Sequence, residues 1–283
     1  MNIRYEMISE TGLKRKVNQD RICAHTSGSS ALFAVADGMG GHSEGEYASE
    51  MVIASLEKVT EDISHSDTSF GSRIDIIISA LDNVNAEILE YAHQKGIICG
   101  STVSVLFICG ELFAVINVGD SPVYYADKKS ACHASTEHSY DVMMKKSALD
   151  PGLEPDEHRK GRLVQAVGVK ERIFPSVKTG KLSDVQSFLL CSDGVSRYFT
   201  DKKIFKALRQ VSRGKISPKE LILSLKEQVY RFGAADNLSA IAVLAENEEC
   251  TKAKKGRSMI GWIIFAIVLV FIAWSVTNFV IIN

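Results

Sequence analysis

The sequence predicts an α+β layered sandwich, and three observations carry that reading. Apolar runs of strand length come in groups instead of alternating one by one with helices, which argues against a parallel alternating sheet. Long stretches with apolar residues at helical spacing come in pairs, and two long helices in succession need a sheet to pack on. Polar breaks rich in glycine, asparagine and proline separate both kinds of segment.

Taken in order, residues 3 to 9 and 20 to 25 read as short strands on either side of a polar turn holding Gly12, Lys14, Arg15 and Lys16. Basic side chains are thereby expected near Asp20. Leu32 to Ala36 is an apolar run that stops on Asp37-Gly38-Met39-Gly40-Gly41-His42, a buried strand feeding a tight turn. Ser43 and Glu46 fit a capping box, and Tyr47, Met51, Val52, Leu56 and Val59 predict a helix to about Asp62. After a polar break from Ser64 to Gly71, Ile74, Ile77, Ile78, Leu81, Val84, Ile88 and Leu89 predict a second helix ending near Gly96.

Thr102 to Ile108 and Leu112 to Val118 then form an apolar hairpin that delivers Asp120, and Val123 to Ala126 continues the meander. From Ser130 to about Lys160 the chain is polar and aperiodic, with Pro151, Gly152 and Pro155, and is expected to be a mobile flap. Strands are expected at Leu163 to Val169, Ile173 to Lys178 and Ser187 to Cys191, the last leading into Asp193. Helices near Asp201 to Val211 and Pro218 to Phe232 precede a final strand at Ala240 to Leu244, just after Asp236-Asn237.

At 283 residues the chain is long enough for one large domain. Its 33 basic and 34 acidic side chains give no reason to expect nucleic acid as a partner. The six cysteines have no C-x-x-C spacing and read as reduced thiols in a cytosolic domain, and Arg4, Glu6 and Glu10 argue against a secretory signal at the start. After Glu249 the character changes. Lys252, Lys254, Lys255 and Arg257 precede the uncharged run Met259 to Ile282, which at about 1.5 Å per residue exceeds the roughly 30 Å hydrocarbon core. The expectation is a domain at 1–247, a basic linker at 248–258 and a single transmembrane helix at 259–282. Trp262 would sit at the interface, and the basic end would keep the domain on the cytoplasmic face of the membrane, with lipid as a partner.

Five aspartates stand at strand edges: Asp20, Asp37, Asp120, Asp193 and Asp236. Carboxylates without histidine or thiolate company are hard ligands that favour magnesium or manganese. Two such ions about 3.5 to 4 Å apart clamp a phosphate and lower the pKa of a bridging water. Ser121 and Ser192 lack a G-x-S-x-G context and are expected to bond local backbone, and Glu137-His138 reads as a solvated loop pair.

Gly12-x-x-Arg15-x-x-Asn18-Gln19-Asp20, Val35-Ala36-Asp37-Gly38-Met39-Gly40-Gly41-His42, Gly119-Asp120-Ser121, Cys191-Ser192-Asp193-Gly194 and Asp236-Asn237-Leu238-Ser239 occur in this order. Over residues 5 to 245 the chain resembles the metal-dependent protein phosphatases of type 2C, the bacterial members above all. The resemblance implies a four-layer αββα sandwich, a central β-sandwich flanked by helix pairs, with a binuclear manganese or magnesium site at one edge. By position, Asp37 would bridge both ions and the Gly38 carbonyl would add a ligand. Asp193 and Asp236 would hold the first ion, Asp20 would support the second, and Asp120 with Asp193 matches a weaker third site. Arg15 would bind the phosphate of a phosphoserine or phosphothreonine protein. The expected reaction is in-line attack by a metal-bridging hydroxide.

The chain departs from the family pattern at two places. Met39 stands where eukaryotic relatives often have a histidine, leaving His42 as a nearby general-acid candidate whose other reading is structural. Pro122 follows Gly-Asp-Ser where arginine is common, so the turn at Asp120 is expected to differ. Two rival readings are a catalytically silent phosphoprotein-binding sensor of the same fold, disfavoured because all the aspartates are present, and a two-metal nuclease, disfavoured by the missing basic groove. The tether suggests targets of a membrane-associated kinase.

Overall fold

The computed structural model describes residues 1–41, 43–64, 68–138, 163–182 and 185–246. The strands are β1 (Asn2–Glu10), β2 (Asp20–Ser27), β3 (Ser30–Met39), β4 (Gly100–Ser101), β5 (Val103–Cys109), β6 (Leu112–Val118), β7 (Val123–Ala126), β8 (Ala131–His133), β9 (Ser176–Lys181), β10 (Val185–Cys191) and β11 (Leu238–Glu246). The helices are α1 (Glu44–Lys58), α2 (Thr60–Ser64), α3 (Phe70–Lys95), α4 (Asp193–Ser196), α5 (Asp201–Ser212) and α6 (Pro218–Arg231). One sheet runs β1-β11-β10-β7-β8 and the other β2-β3-β5-β6-β9, with β4 pairing β3. Every ladder is antiparallel.

The period-two geometry of a strand explains why these runs are apolar on both faces. In β3, Ala31, Phe33 and Val35 face the other sheet, whereas Leu32, Ala34 and Ala36 pack with residues of α1 and α3. In β11 the same alternation sends Ile241, Val243 and Ala245 between the sheets and Ala240, Ala242 and Leu244 towards α5 and α6. Three apolar layers follow, one between the two sheets and one beneath each helix group. Phe188 on β10 fills the middle layer with no exposed surface and meets Phe113 edge-on at 5.2 Å between ring centres. Truncating it in Phe188→Ala is expected to cost about 3–5 kcal/mol, read as a lower urea midpoint of the chain.

Several expectations change in detail. The first long helix breaks at Val59 into α1 and α2. The capping box at its start does not form: Ser43 makes no side-chain cap, and Glu46 instead takes Arg21 of β2 at 2.5 Å. Leu163 to Val169 is not a strand; within it Val167 makes one isolated bridge to Ser101, and Gln165 turns its amide towards Phe174. The next strand is displaced to Ser176–Lys181, where Ala114, Ile116 and their neighbours on β6 give it a partner edge. The expected flap begins with a short strand, β8, on the edge of β7, and residues 139–160 of it lie outside the described residues. The cysteines read as free thiols at Cys23, Cys99, Cys109, Cys132 and Cys191, while Cys250 lies outside the described residues. So do the basic linker and the run from Met259 to Ile282; among the described residues no helix is long and apolar enough to cross a membrane.

Candidate metal centre

Both sheets contribute acidic side chains to one edge of the sandwich. Asp20 opens β2 and lies directly across the ladder from Asp37 on β3. Asp120 sits in the turn after β6, Asp193 starts α4 after β10, and Asp236 immediately precedes β11. The acids stand at or just beyond the ends of strands whose apolar residues fill the core, so they collect where the layers end.

The backbone at this edge is heavily braced. The Asp37 N–H donates to Thr102 Oγ1 at 3.1 Å, the Asp37 carbonyl accepts from the Thr102 N–H at 2.9 Å, and the Gly38 N–H donates to the Gln19 carbonyl at 3.1 Å. Thr102, where the predicted strand begins, lies between β4 and β5. Thr102 Oγ1 also lies 2.7 Å from Ser121 Oγ. Ser104 and Asn117 are buried beneath, with the Asn117 amide donating to the carbonyls of Gly119 and Thr136 at 3.0 Å. The turn that carries Asp120 is thus held by hydrogen bonds that do not need an arginine after Ser121, and the Pro122 carbonyl accepts from the Cys191 N–H at 3.2 Å.

Asn237 ties the two sheets together. Its side-chain oxygen accepts from the Gln19 N–H, and its amide donates to the carbonyls of Thr11 and Val17, all at 2.9 Å. Gly194 lets the two acidic turns approach, because a Cβ there would lie 1.7 Å from the Asn237 carbonyl oxygen. Ser192 does more than bond local backbone: its hydroxyl donates to Asp20 Oδ2 at 2.8 Å and accepts from the Ser239 N–H at 3.1 Å. His138 is also not solvated. It is 5% exposed, and its Nδ1 accepts from the Gly119 N–H at 3.2 Å, beside Asp120.

The carboxylates feel one another. Burial pushes Asp20 up to about 6, with the charges of Asp193 and Asp236 adding to the effect and the Ser192 hydrogen bond opposing it. Asp37 is raised well above the ordinary carboxylate range, first by desolvation and then by the charges of Asp20, Asp193, Asp120 and Asp236. Asp120 rises to about 6 through burial and the charge of Asp193. Carboxylates near enough to shift one another are oxygen donors of the type that suits hard cations.

Two arginines answer part of that charge. Arg15 grips Asp236 with Nε at 2.8 Å to Oδ1 and Nη2 at 3.0 Å to Oδ2, the two-point geometry of a guanidinium on a carboxylate. Its own pKa is raised, by this bond first and also by Asp37 and Asp193. Arg197, one helical turn after Asp193, is hydrogen-bonded to it and lies 3.4 Å from Asp236. Among the described residues no three acidic, histidine or cysteine side chains are gathered closely enough to hold an ion as they stand. Arg197 was not singled out in the sequence, although its position four residues after Asp193 at a helix start is a readable signal. Thr102 and Ser192 left no signal of their own. His42, the general-acid candidate, lies outside the described residues.

The family model described as Protein phosphatase 2C matches residues 13–228. The serine/threonine protein phosphatase PstP of Mycobacterium tuberculosis is 28% identical over 244 residues, covering 84% of this chain and 44% of that protein, so the chain spans less than half of that relative's length. Among solved structures, PppA of Pseudomonas aeruginosa, titled a key regulatory component of T6SS, superposes with a TM-score of 0.73 at 27% identity, covering 86% of this chain and 97% of that one. The catalytic domain of PstP in complex with two manganese ions superposes with a TM-score of 0.70 at 25% identity, over 86% of this chain and 99% of that one. With most of the folded part matched by one family model and its two-sheet architecture shared with these structures, the chain belongs to the protein phosphatase 2C family.

Proposed function

We propose that this chain is a metal-dependent serine/threonine phosphoprotein phosphatase. The observation that carries the reading is the meeting of Asp20, Asp37, Asp120, Asp193 and Asp236 at one edge of the sandwich with Arg15 beside them. The names of its relatives support the activity, and the two manganese ions of the PstP catalytic domain support the choice of cofactor.

In this reading Asp37 and the Gly38 carbonyl would help to hold two ions, Asp193 and Asp236 would hold the first, Asp20 would support the second, and Asp120 with Asp193 would offer a third, weaker position. When bound, such ions neutralise phosphate charge and supply water of lowered pKa. The chain's own residues do the rest. Ser192 and Thr102 fix Asp20 and the Asp37 backbone, so the acids hold their places before any ligand arrives. Asp193 and Asp236, whose charge Arg197 and Arg15 now answer, would turn that charge to bound cations instead. Arg15, half-exposed at its side chain, then has its planar fork available for the oxygens of a substrate phosphate.

The same proposal includes the tether. The uncharged run from Met259 to Ile282 behind Lys252, Lys254, Lys255 and Arg257 supports a single membrane-crossing helix that holds the phosphatase domain, residues 1–247, at the cytoplasmic face, next to phosphoproteins made by a membrane-associated kinase.

Phosphate release from a phosphothreonine peptide in manganese tests the activity. Release that stops on adding EDTA and returns with manganese is the expected result, and a chain that binds the peptide without releasing phosphate would be the silent sensor instead. Membrane fractionation of the full chain, with and without residues 259–282, tests the tether: the full chain is expected in the carbonate-resistant membrane fraction and the shortened one in the supernatant.

A further inference from the structure

Lys14, Arg15 and Lys16 line a cavity of about 410 Å³ together with Val17, Gln19, Gly40 and Gly41. Three consecutive residues of a strand would send their side chains to opposite faces, but this segment is an irregular turn. It is set by Gly12, whose φ of +76° is a left-handed conformation that suits glycine, and by the Leu13 N–H donating to the Ala234 carbonyl at 2.8 Å. All three cations therefore converge on one space.

The cavity adjoins the acidic edge on two sides. Arg15 reaches from it to Asp236, and Gly40 and Gly41 belong to the turn that leaves Asp37. Gln19 closes it, its amide donating to the Gly41 carbonyl at 2.9 Å. Its volume lies within the about 300–1,000 Å³ of ligand-binding pockets. Among the described residues no acidic side chain lines it. Lys14 and Lys16 are exposed, and neither makes an ion pair among the described residues. The nearest carboxylate to Gly41, that of Glu44, accepts from the Ser43 N–H at 3.1 Å at the start of α1. In a chain whose charges otherwise balance, a cavity lined by three cationic side chains and, among the described residues, by no acidic one is a local excess with a direction.

We propose that Lys14 and Lys16 form a specificity subsite that selects phosphoserine or phosphothreonine peptides carrying a further negative charge, an acidic residue or a second phosphoresidue, next to the phosphate to be removed. The inference rests on the phosphatase reading above for its reaction, and on the cavity alone for its ligand. Arg15 takes the scissile phosphate, and the two lysines, as mobile point charges on long stems, take the neighbouring anion at distances that need not be fixed. Two exposed lysines act mainly through charge, so the preference falls as salt screens it.

The test uses the full chain and three phosphothreonine peptides, flanked by aspartates, by a second phosphothreonine, or by alanines. In manganese, the anionic peptides are expected to show a KM about tenfold below that of the alanine peptide at low salt, with the gap closing at 0.5 M salt. In Lys14→Ala/Lys16→Ala the gap is expected to shrink to less than threefold, and in Lys14→Glu/Lys16→Glu the order of the peptides is expected to reverse. Fluorescence anisotropy of the same peptides in EDTA gives affinity without turnover. Hydrolysis of all three peptides with equal KM, or a preference that survives both double variants, overturns the subsite and leaves the phosphatase reading standing. Anionic peptides that bind in a lysine-dependent way without releasing phosphate overturn the phosphatase reading and keep the subsite.

Discussion

Replacing Asp37 by asparagine is expected to lower phosphate release from a phosphopeptide by about a thousandfold or more, roughly 4 kcal/mol of transition-state stabilisation. The Asp37 pKa is raised by burial and then by the charges of all four other carboxylates, so each of them acts on it. The substitution keeps the side-chain shape, and the backbone bonds to Thr102 that place the residue are untouched. Loss of function and loss of folding are separable here, because their signs differ. An ionised Asp37 is disfavoured in the folded chain by desolvation and by its neighbours, so a neutral asparagine relieves repulsion. In EDTA at pH 7.5 the variant is therefore expected to melt above the wild type while remaining inactive in manganese. A variant that melts lower and is inactive would show a packing role; one that keeps its activity would remove Asp37 from the site.

The second large effect is a pH dependence of stability that metal cancels. Asp20 and Asp120 each move from 3.8 to about 6 on folding, both through burial first. Between these values the folded chain holds protons that the unfolded chain has released, so stability is greatest below about pH 4 for these groups and is lost as pH rises through 6. At about 1.4 kcal/mol per pH unit each carboxylate loses roughly 1.4 kcal/mol between pH 5 and 7.5, and the two together roughly 3 kcal/mol. For a chain of this size the metal-free protein is expected to melt on the order of 6–12 °C lower at pH 7.5 than at pH 5. The carboxylates whose pKa folding lowers, Glu10, Asp127 and Glu220, start from 4.5, 3.8 and 4.5, so they titrate below this window and do not mask it. Millimolar manganese at pH 7.5 is expected to restore most of the loss, since an ion that binds only the folded chain stabilises it by mass action. Differential scanning fluorimetry across pH 5–7.5, with EDTA or manganese, reads both effects; a midpoint that rises with pH in EDTA would contradict the charge cluster.

Much of the architecture was legible because its strands bury both faces. Runs such as Leu32 to Ala36 and Ala240 to Leu244 are apolar throughout, and their lengths and glycine-bounded ends distinguish them from helices. Leu163 to Val169 has the same composition and is not a strand. It forms isolated bridges, Val167 to Ser101 among them, instead of a ladder, a tertiary fact that local pattern does not contain. The capping box failed for a comparable reason, since Arg21 on a neighbouring strand competes for Glu46.

At the site, the acids were readable from their places at strand edges, but the groups that fix them were not. Ser192 and Thr102 look like ordinary polar residues in sequence; only the fold places one hydroxyl on Asp20 and the other on the Asp37 backbone. His138 was misread because a polar neighbourhood in sequence says nothing of what lies across the turn, here the Gly119 N–H. Charge pairing over long separations, Arg15 with Asp236 above all, is equally invisible until the turn at Gly12 is formed.

Because Asp20, Asp37 and Asp120 hang from one sheet and Asp193 and Asp236 from the other, the spacing of the acids is a gauge of how thick the filling between the sheets is. Phe33, Phe113 and Phe188 set that thickness from the interior. A conservative change among these rings would then register at the rim as an altered grip on cations, long before the chain came near to unfolding. Natural variation in the filling would give related chains different metal appetites while every acid stayed the same.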